Sequence, residues 1–330
     1  MLEACLLISG ILLFISVLFL SMPIILISSP IWLPSLILLY FLSKYLGYST
    51  AIYKFFESIY TWLLFKSDKP RKWAWRNFYN ILCWMFPQDE WKTMNYGYAV
   101  ESETGHTIVL SPEEETERFS YQLYHFMATG FKKNANLNGL NMVEVGSGRG
   151  GGLAYIVKNL KPLKAIGVDY SQQQVNFCQR TYASLSGLSY VWGDAENLPL
   201  ENESVDLVIN VESSHCYGNF EKFVSEVARI LKKGGIFMIT DFVTSEEAPK
   251  FEKTLEKYLE ITEKKDISKN VLNSLKFDSE RRMELIQNRT PRILRPLLKR
   301  FSGAEGSNIY QELVVKSSLY LAYKLTKKSN

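Results

Sequence analysis

The chain is poor in the residues that build metal centres and disulfide frameworks. Its 330 residues include four cysteines and three histidines, and the cysteines are scattered, with no C-x-x-C pair and no metal-ligand spacing. We therefore expect no disulfide and no metal site, and the free thiols indicate a reducing compartment. An excess of one charge is also missing. A net charge of +4 does not indicate a nucleic-acid partner, and we expect none.

Charge is absent altogether between Glu3 and Lys44. A membrane-spanning helix needs about 20 apolar residues, and this run is long enough for nearly two. We interpret residues 1–50 as a hydrophobic membrane anchor, with Leu6–Ser28 as one span and Ile31–Leu46 as a short span or a re-entrant segment. A cleaved signal peptide fits poorly, because no basic residue precedes the run. A buried helix of a soluble domain is the alternative.

Residues 51–100 combine aromatic with basic side chains. Five of the seven tryptophans fall here, together with a basic cluster from Lys66 to Arg76. Tryptophan and tyrosine favour the membrane–water interface, and basic residues favour the cytoplasmic side. We therefore predict that Tyr53–Phe65 and Trp73–Phe86 are helices that lie on the bilayer. The alternative is an accessory helix pair that packs on the catalytic domain. RNA binding is less favoured, because the apolar run lies beside this cluster.

A buried-strand pattern, Met142–Val145, leads directly into a glycine-rich turn that ends at Gly152. Without a Cβ, glycines such as Gly146 can take positive φ and let backbone amides approach a ligand. The helix that follows points its N-terminal amides at the same place. The spacing also satisfies the dinucleotide fingerprint G-x-G-x-x-G. A tight strand–helix turn with no ligand is the alternative.

Strands and helices alternate on both sides of this turn. The alternation predicts an α/β domain over residues 101–330, with a doubly wound, mostly parallel seven-stranded sheet. Ser111-Pro-Glu-Glu is a well-formed helix start. Residues 246–300 are expected to be mostly helical and to form an acceptor-binding insertion, and Tyr310–Val315 and Leu319–Leu325 are predicted as two closing strands. The remaining predicted strands are Met142–Val145, Ala165–Val168, Leu188–Val191, Leu207–Val211 and Ile236–Thr240.

Four motifs, in this order, resemble those of class I S-adenosylmethionine-dependent methyltransferases. They are Glu144-Val-Gly-Ser-Gly-Arg-Gly150, Gly167-Val-Asp169, Gly193-Asp-Ala-Glu-Asn-Leu-Pro199 and Leu231-Lys-Lys-Gly-Gly235. More narrowly, Met94-Asn-Tyr-Gly-Tyr-Ala99 and Asn210-Val-Glu-Ser-Ser-His-Cys-Tyr217 are similar to the mycobacterial phthiotriol and phenolphthiotriol dimycocerosates methyltransferases. The Glu-x-x-His feature has a more distant similarity to sterol and tocopherol methyltransferases. The resemblance implies a Rossmann-like methyltransferase fold, S-adenosylmethionine as cofactor and a very apolar lipid acceptor.

The resemblance also implies roles for individual residues, and a purely structural role is the alternative for each. Asp169 follows Gly146 by 23 residues, close to the roughly 20 expected of an acid that accepts from the ribose hydroxyls. Asp194 is expected at the adenine edge and Glu144 at the methionine amino group. The expected cofactor-binding set is Glu144, Gly146, Ser147, Gly148, Gly150, Asp169, Tyr170, Asp194, Ala195, Asn210 and, closing over the cofactor from the N-terminal side, Asn95 and Tyr96.

Glu212 and His215 are the candidate catalytic residues. Methylation of an alcohol releases a proton, and a histidine with a near-neutral pKa is a suitable acceptor. Glu212 would then orient the histidine or contact the methyl donor. A structural role for His215 is equally open.

The sequence thus favours a membrane-anchored methyltransferase that forms an O-methyl ether on a lipid. Its catalytic domain is expected on the cytoplasmic face, of an endomembrane such as the endoplasmic reticulum if the source is eukaryotic. Carbon methylation of a sterol or prenyl-quinol is the alternative within the class. An NAD-dependent oxidoreductase and a catalytically inactive membrane scaffold are alternatives from other classes. No feature of the sequence indicates an oligomeric state.

Overall fold

All of the residues that the structure describes belong to the unit Ser67–Asn330. The predicted anchor of residues 1–50 and the predicted helix Tyr53–Phe65 lie outside the residues that can be described. Within the described part of the chain, no helix is both long enough and apolar enough to cross a membrane. The computed structural model describes residues 69–85, 91–132, 135–289, 295, 299 and 302–328.

A single twisted sheet organises this unit, and seven of its strands lie in the described residues. They are β1 (Asn141–Val145), β2 (Lys164–Asp169), β3 (Leu188–Trp192), β4 (Val205–Val211), β5 (Leu231–Thr244), β6 (Glu260–Asp266) and β7 (Ser318–Thr326). Their order across the sheet is β3-β2-β1-β4-β5-β7-β6. The first five are parallel, whereas β7 runs antiparallel to both β5 and β6. The predicted doubly wound, mostly parallel α/β sheet is confirmed.

Helices connect the strands. The helices are α1 (Lys69–Met85), α2 (Arg118–Ala128), α3 (Gly151–Leu160), α4 (Gln172–Thr181), α5 (Phe220–Ile230), α6 (Ala248–Tyr258), α7 (Ser268–Arg289) and α8 (Asn308–Val314). Of these, α4, α5 and α8 begin at side-chain caps. The Asn219 carboxamide accepts from the Lys222 amide at 2.9 Å, for example. The predicted capping box at Ser111 is present, but it opens a 3₁₀ segment, Pro112–Glu117, before the helix proper.

The central strands are apolar on both faces because helices cover both. Ile209 and Met238 belong to one buried cluster with Leu123 of α2. Alternate residues point to the other face, where the Phe237 ring packs edge-on against Phe223 of α5 at 5.9 Å. This double coverage gives the near-continuous hydrophobic strands that the sequence shows.

Two predictions for the C-terminal third are wrong. Tyr310–Val315 is not a strand, since residues 308–314 form α8, which begins where the Ser307 hydroxyl accepts from the Tyr310 amide. The sixth strand is instead Glu260–Asp266, inside the region predicted as mostly helical. It is the edge strand of the sheet and has mostly charged, solvent-facing side chains, which protect an edge from further pairing. That composition conceals it in the sequence.

The prediction for the second aromatic helix also needs correction. Trp73–Phe86 was expected to lie on the bilayer, but α1 buries Ala74, Trp75, Leu82 and Cys83 within the compact unit. This corresponds to the alternative of an accessory helix packed on the catalytic domain. The compact unit therefore begins at Ser67 rather than at residue 101.

Candidate active site

A cleft opens at the carboxyl ends of β1, β2 and β4, with about 860 Å³ of space in it when the open solvent at its mouth is included. Parallel strands bring these ends to one edge of the sheet, where ligands of such folds bind. One wall comes from α1, which contributes Lys72, Trp75, Arg76 and Tyr79. The remaining lining residues are Lys92 to Met94, Tyr124, Val145 to Arg149, Val168 to Ser171, Gln174, Gly193 to Ala195, Val211 to Ser213, Cys216 and Tyr217.

The glycine turn forms the floor of this cleft. Gly146 has φ +78°, and a Cβ there would collide with the Ser213 hydroxyl. Gly148 has φ +51°, and a Cβ there would come within 2.7 Å of the Met94 methyl group. Both positions therefore require glycine. Gly150 also has positive φ, but it packs on Tyr190 and serves the turn rather than the cleft.

Asp169 is the last residue of β2, and each of its carboxylate oxygens accepts a hydrogen bond from a backbone amide. Oδ2 accepts from the Gly148 amide and Oδ1 from the Ser171 amide, each at 2.8 Å. Burial raises the pKa of Asp169, and these two amides act in the opposite direction. Each oxygen retains a lone pair for a hydroxyl donor. Tyr170 follows it in the cleft wall and stacks on Trp192 at 6.0 Å.

Asp194 and Ala195 lie where the sequence places them, on the cleft wall after β3. Asp194 Oδ1 accepts from the Glu196 amide at 3.0 Å, which forms a tight local turn. Its Oδ2 pairs with the Lys72 ammonium of α1 at 2.7 Å. The acid is thus held from two sides.

Glu144 lies directly behind the cleft and is fully buried. Its Oε1 accepts from the Tyr124 hydroxyl at 2.7 Å, while Oε2 has no hydrogen-bond partner among the described residues. Burial raises the pKa of Glu144 to about 8. The Ser147 hydroxyl is likewise buried and without a partner in the described structure. Buried polar atoms left unpaired are costly, so these two indicate a polar ligand.

Asn210 does not line the cleft but braces its floor. Its side-chain amide donates to the Val145 carbonyl at 2.8 Å and contacts the hydroxyls of Ser213 and Tyr217 at 2.7 and 2.8 Å. These bonds connect β4 to the end of β1. The predicted cofactor residue is therefore placed as a support for the turn.

Glu212 lines the cleft beyond β4 and has strained backbone geometry. Its φ is +47°, in the left-handed region that only glycine adopts freely. Oε1 accepts from the Tyr96 amide at 2.5 Å and also from the Tyr320 hydroxyl of β7. Burial raises the pKa of Glu212 to about 7. The strain and the two donors fix this carboxyl at the edge of the cleft.

His215 follows Glu212 by three residues and lies outside the cleft lining. Its Nδ1 is 2.9 Å from Asp241 Oδ1, and its ring contacts Trp75 and Phe242 at centroid distances of 5.4 and 4.6 Å. Asp241, not Glu212, therefore orients the imidazole. Burial lowers the pKa of His215, but Cys216 and the Asp241 carboxylate outweigh it, and the pKa lies well above its usual value.

Asn95 and Tyr96 do not contribute side chains to the cleft. The Asn95 side chain accepts from the Gly97 amide at 2.9 Å. The Tyr96 amide donates to Glu212, and its partly buried ring lies 6.1 Å from that of Phe242, centroid to centroid. This segment supports the Glu212 carboxyl, whereas the sequence predicted that it closes over the cofactor.

Comparison with known proteins identifies the family. A family described as "Methyltransferase domain" matches residues 143–239. The chain is 32% identical over 255 residues to the phthiotriol/phenolphthiotriol dimycocerosates methyltransferase of Mycobacterium leprae, covering 77% of this chain and 92% of that protein. It is 33% identical over 235 residues to the fatty-acid O-methyltransferase of Mycolicibacterium smegmatis, covering 71% and 82%. The chain belongs to the S-adenosylmethionine-dependent methyltransferases.

Solved structures support the fold of this methyltransferase. The [4+2]-cyclase SpnF superposes with a TM-score of 0.57 at 16% identity, over 80% of this chain and 97% of that one. Geranyl diphosphate C-methyltransferase of Streptomyces coelicolor, solved with S-adenosyl-L-homocysteine, gives 0.55 at 16% identity, over 79% and 99%. Because a cyclase and a methyltransferase share this architecture, the fold alone does not define the reaction.

The residues of the cleft fit the methyltransferase cofactor. S-adenosylmethionine carries an ammonium group, ribose hydroxyls and an adenine ring. Unpaired Glu144 Oε2 and Ser147 Oγ match polar groups at the floor. Asp169 matches a diol, and Asp194 and Ala195 match a purine edge. The described residues contain no cluster of three or more candidate metal ligands.

Four contributors to the site were missed by the sequence interpretation. Asp241 gave a signal, since an acid on the fifth strand faces the same edge as the other candidates. Lys72 was noted only as part of a basic cluster. Tyr79, whose hydroxyl is 3.9 Å from the Cys216 sulfur, and Tyr320 gave no local signal, because their roles depend on contacts across more than a hundred residues.

Proposed function

We propose that this enzyme transfers the methyl group of S-adenosylmethionine to a hydroxyl oxygen of a lipid-type acceptor. The relatives named for dimycocerosates and fatty acids support a lipid. The aromatic side chains around His215 supply an apolar surface beside the cleft, formed by Trp75, Phe242 and Tyr96. The observation that carries the proposal is the buried, fixed carboxyl of Glu212 at the cleft edge.

The proton of the hydroxyl must leave when its oxygen gains the methyl group, and Glu212 is placed to take it. The bound cofactor supplies an activated methyl on its sulfonium. Among the described residues, both donors to Glu212 bind Oε1, which leaves Oε2 to accept a proton. A general base works best when its pKa lies near the working pH. The pKa of about 7 places Glu212 in that range.

His215 serves this carboxyl rather than acting as the base. Burial lowers the pKa of His215, but Cys216 and the Asp241 carboxylate raise it by more, which favours the protonated ring with Nδ1 donating to Asp241. The positive ring lowers the pKa of Glu212 and so favours the carboxylate form that accepts the proton. This assignment reverses the roles that the sequence suggested for Glu212 and His215.

A hydroxyl acceptor suits this site better than a carboxylate acceptor. A fatty acid is ionised at neutral pH and needs no base before methylation. Its charge would also be repelled by the Glu212 carboxylate at close range. A general base such as Glu212 beside an apolar surface therefore favours an alcohol as the methyl acceptor. Carbon methylation is a distinct outcome of the test below.

The reaction is tested by incubating the purified enzyme with methyl-labelled S-adenosylmethionine and a total lipid extract. We expect label in a lipid that survives mild alkaline hydrolysis and is released by ether cleavage. Label that alkali removes would indicate an ester and a carboxylate acceptor. Label that neither treatment removes would indicate a carbon–carbon bond. Either result would contradict the hydroxyl proposal.

We further propose that residues 1–50 hold the enzyme on a membrane, with the catalytic domain on the cytoplasmic face. The uncharged run from residue 4 to 43 supports an anchor, and the basic cluster after it supports the orientation. Extracting a lipid through water costs about 0.8 kcal/mol for each CH₂, so an attached enzyme avoids a large barrier. Fractionation with salt and carbonate washes tests this. Full-length protein in the soluble fraction would contradict it.

A further inference from the structure

The wall of the cofactor cleft that α1 provides lies outside the family match of residues 143–239. Helix α1 overlaps Trp73–Phe86, the second helix that the sequence predicts to lie on the bilayer. Nevertheless, its side chains line the same cleft as the glycine turn and Asp169. A ligand in that cleft would lie beside α1, and a contact between α1 and the opposite wall would hold the helix there.

Lys72 makes that connection. Its ammonium is 2.7 Å from Asp194 Oδ2 and 3.3 Å from Glu196 Oε1, and its side chain is 21% exposed. One turn further along α1, Arg76 lies over the Tyr170 ring at 5.3 Å, and Lys72 lies over the same ring at 5.2 Å. These two basic residues thus connect α1 to the two acids and to the Tyr170 ring.

The geometry of Asp194 depends on this contact. Oδ1 is fixed by the Glu196 amide, and Lys72 fixes Oδ2, so the plane of the carboxylate is set from both sides. Glu196 has a second task, because its Oε1 also accepts from the Gly218 amide at 3.0 Å. Without a cation between them, Asp194 and Glu196 would repel each other. Lys72 allows the two acids to share one wall.

A second contact holds α1 to the domain further along the helix. The Ser171 hydroxyl donates to the Asn80 side-chain oxygen at 2.5 Å. The amide of the same Ser171 donates to Asp169. Lys72 and Asn80 therefore hold α1 at two points, one at Asp194 and one at Ser171. The helix is fixed over the cleft rather than resting on its rim.

We propose that Lys72 is a positioning residue of the cofactor site, which fixes Asp194 and Glu196 and clamps α1 over bound S-adenosylmethionine or S-adenosylhomocysteine. The clamp acts on cofactor affinity and does not depend on the acceptor. The proposed clamp rests on the geometry of the cleft and on S-adenosylmethionine as the cofactor of this family. The reaction proposed at Glu212 does not depend on this clamp and is tested separately.

The test is calorimetric binding of both cofactor forms to the full-length enzyme in detergent. Lys72→Met should weaken S-adenosylhomocysteine binding about fivefold, and Lys72→Arg should restore most of it. The control is Lys232→Met. Lys232 pairs with Asp206 at 2.8 Å, where β4 and β5 begin, at the other edge of the sheet. It should leave both affinities unchanged.

Comparing the two cofactor forms separates clamping from simple charge repulsion. S-adenosylmethionine carries a positive sulfonium that S-adenosylhomocysteine lacks. A clamp predicts that Lys72→Met weakens both, and that raising NaCl from about 0.05 to about 0.5 M weakens the wild type but barely changes the variant. Tighter S-adenosylmethionine binding with unchanged S-adenosylhomocysteine binding would show that Lys72 only repels the cation. That result would overturn the clamp, as would unchanged affinity for both.

Discussion

The two sides of the cleft are built by different means. On the β1–β2 side, the ligand meets backbone amides and small residues, shaped by positive φ at Gly146 and Gly148. On the β4–β7 side it meets the Glu212 carboxyl, which depends on Tyr320, 108 residues further along the chain. The first side is a local turn, and the second is assembled from distant elements. Cofactor binding and proton transfer should therefore be separable by substitution.

The largest effect is expected from Glu212→Gln, which removes the proposed base with little change in shape. Turnover should fall by about 10²-fold or more, since a general base contributes on that scale. S-adenosylmethionine affinity should stay close to wild type, because the β1–β2 side is intact. Calorimetry and initial rates on one preparation measure both. Equal losses of affinity and turnover would show that the two sides are not separable.

The next largest effect is expected on the other side, from Asp169→Ala. If Asp169 binds the two ribose hydroxyls, the variant loses both contacts, which together contribute about 1 to 3 kcal/mol. The dissociation constant for S-adenosylmethionine should rise about 5- to 150-fold. Asp206→Ala provides a control, because this acid lies at the other edge of the sheet. Unchanged affinity in Asp169→Ala would refute its assignment.

A smaller effect is expected from Tyr320→Phe, which removes one of the two donors to Glu212. The Tyr320 hydroxyl lowers the pKa of Glu212, so its loss should raise that pKa. The base form then needs a more alkaline solution, and the acidic limb of the rate profile should move to higher pH. Tyr323→Phe is the matched control on the same strand, because its hydroxyl contacts Glu252 at 3.0 Å. An identical limb in Tyr320→Phe and wild type would contradict the coupling.

The smallest effect concerns the stability of the cofactor-free enzyme. The pKa of Glu144 is raised from 4.5 to about 8, so folding favours the protonated acid. This contribution is fully present below the ordinary pKa and is lost as pH rises towards 8. Glu144→Gln should make the melting temperature less sensitive to pH in this window. Thermal unfolding between about pH 5 and 8 measures it, and identical slopes would contradict the assignment.

The backbone-built side was predictable because its signals are local. The glycine spacing, the capped helix starts and an acid at the end of each strand occur within short stretches, and Gly146, Gly148, Asp169 and Asp194 all line the cleft. Asn210 was placed in the right region but assigned to the cofactor. A side chain's position at a strand end does not reveal that it points back to the turn it supports.

The β4–β7 side of the cleft was less predictable, because the residues that contact each other there are far apart in the chain. The pairing of His215 with Asp241 spans 26 residues, and that of Glu212 with Tyr320 spans far more. Sequence spacing suggested a Glu212–His215 pair that the fold does not make. Partial alternation also misled at Tyr310–Val315, where it suggested a strand but the Ser307 cap begins a helix.

The measurement that tests the account most directly is the pH dependence of turnover in the wild type, with labelled S-adenosylmethionine and total lipid extract. If Glu212 takes the proton, the acidic limb should have a midpoint near 7, the value to which burial raises its pKa. Glu212→Gln should lack this limb. A limb that persists in Glu212→Gln and disappears in His215→Ala would contradict the account and return the proton to His215.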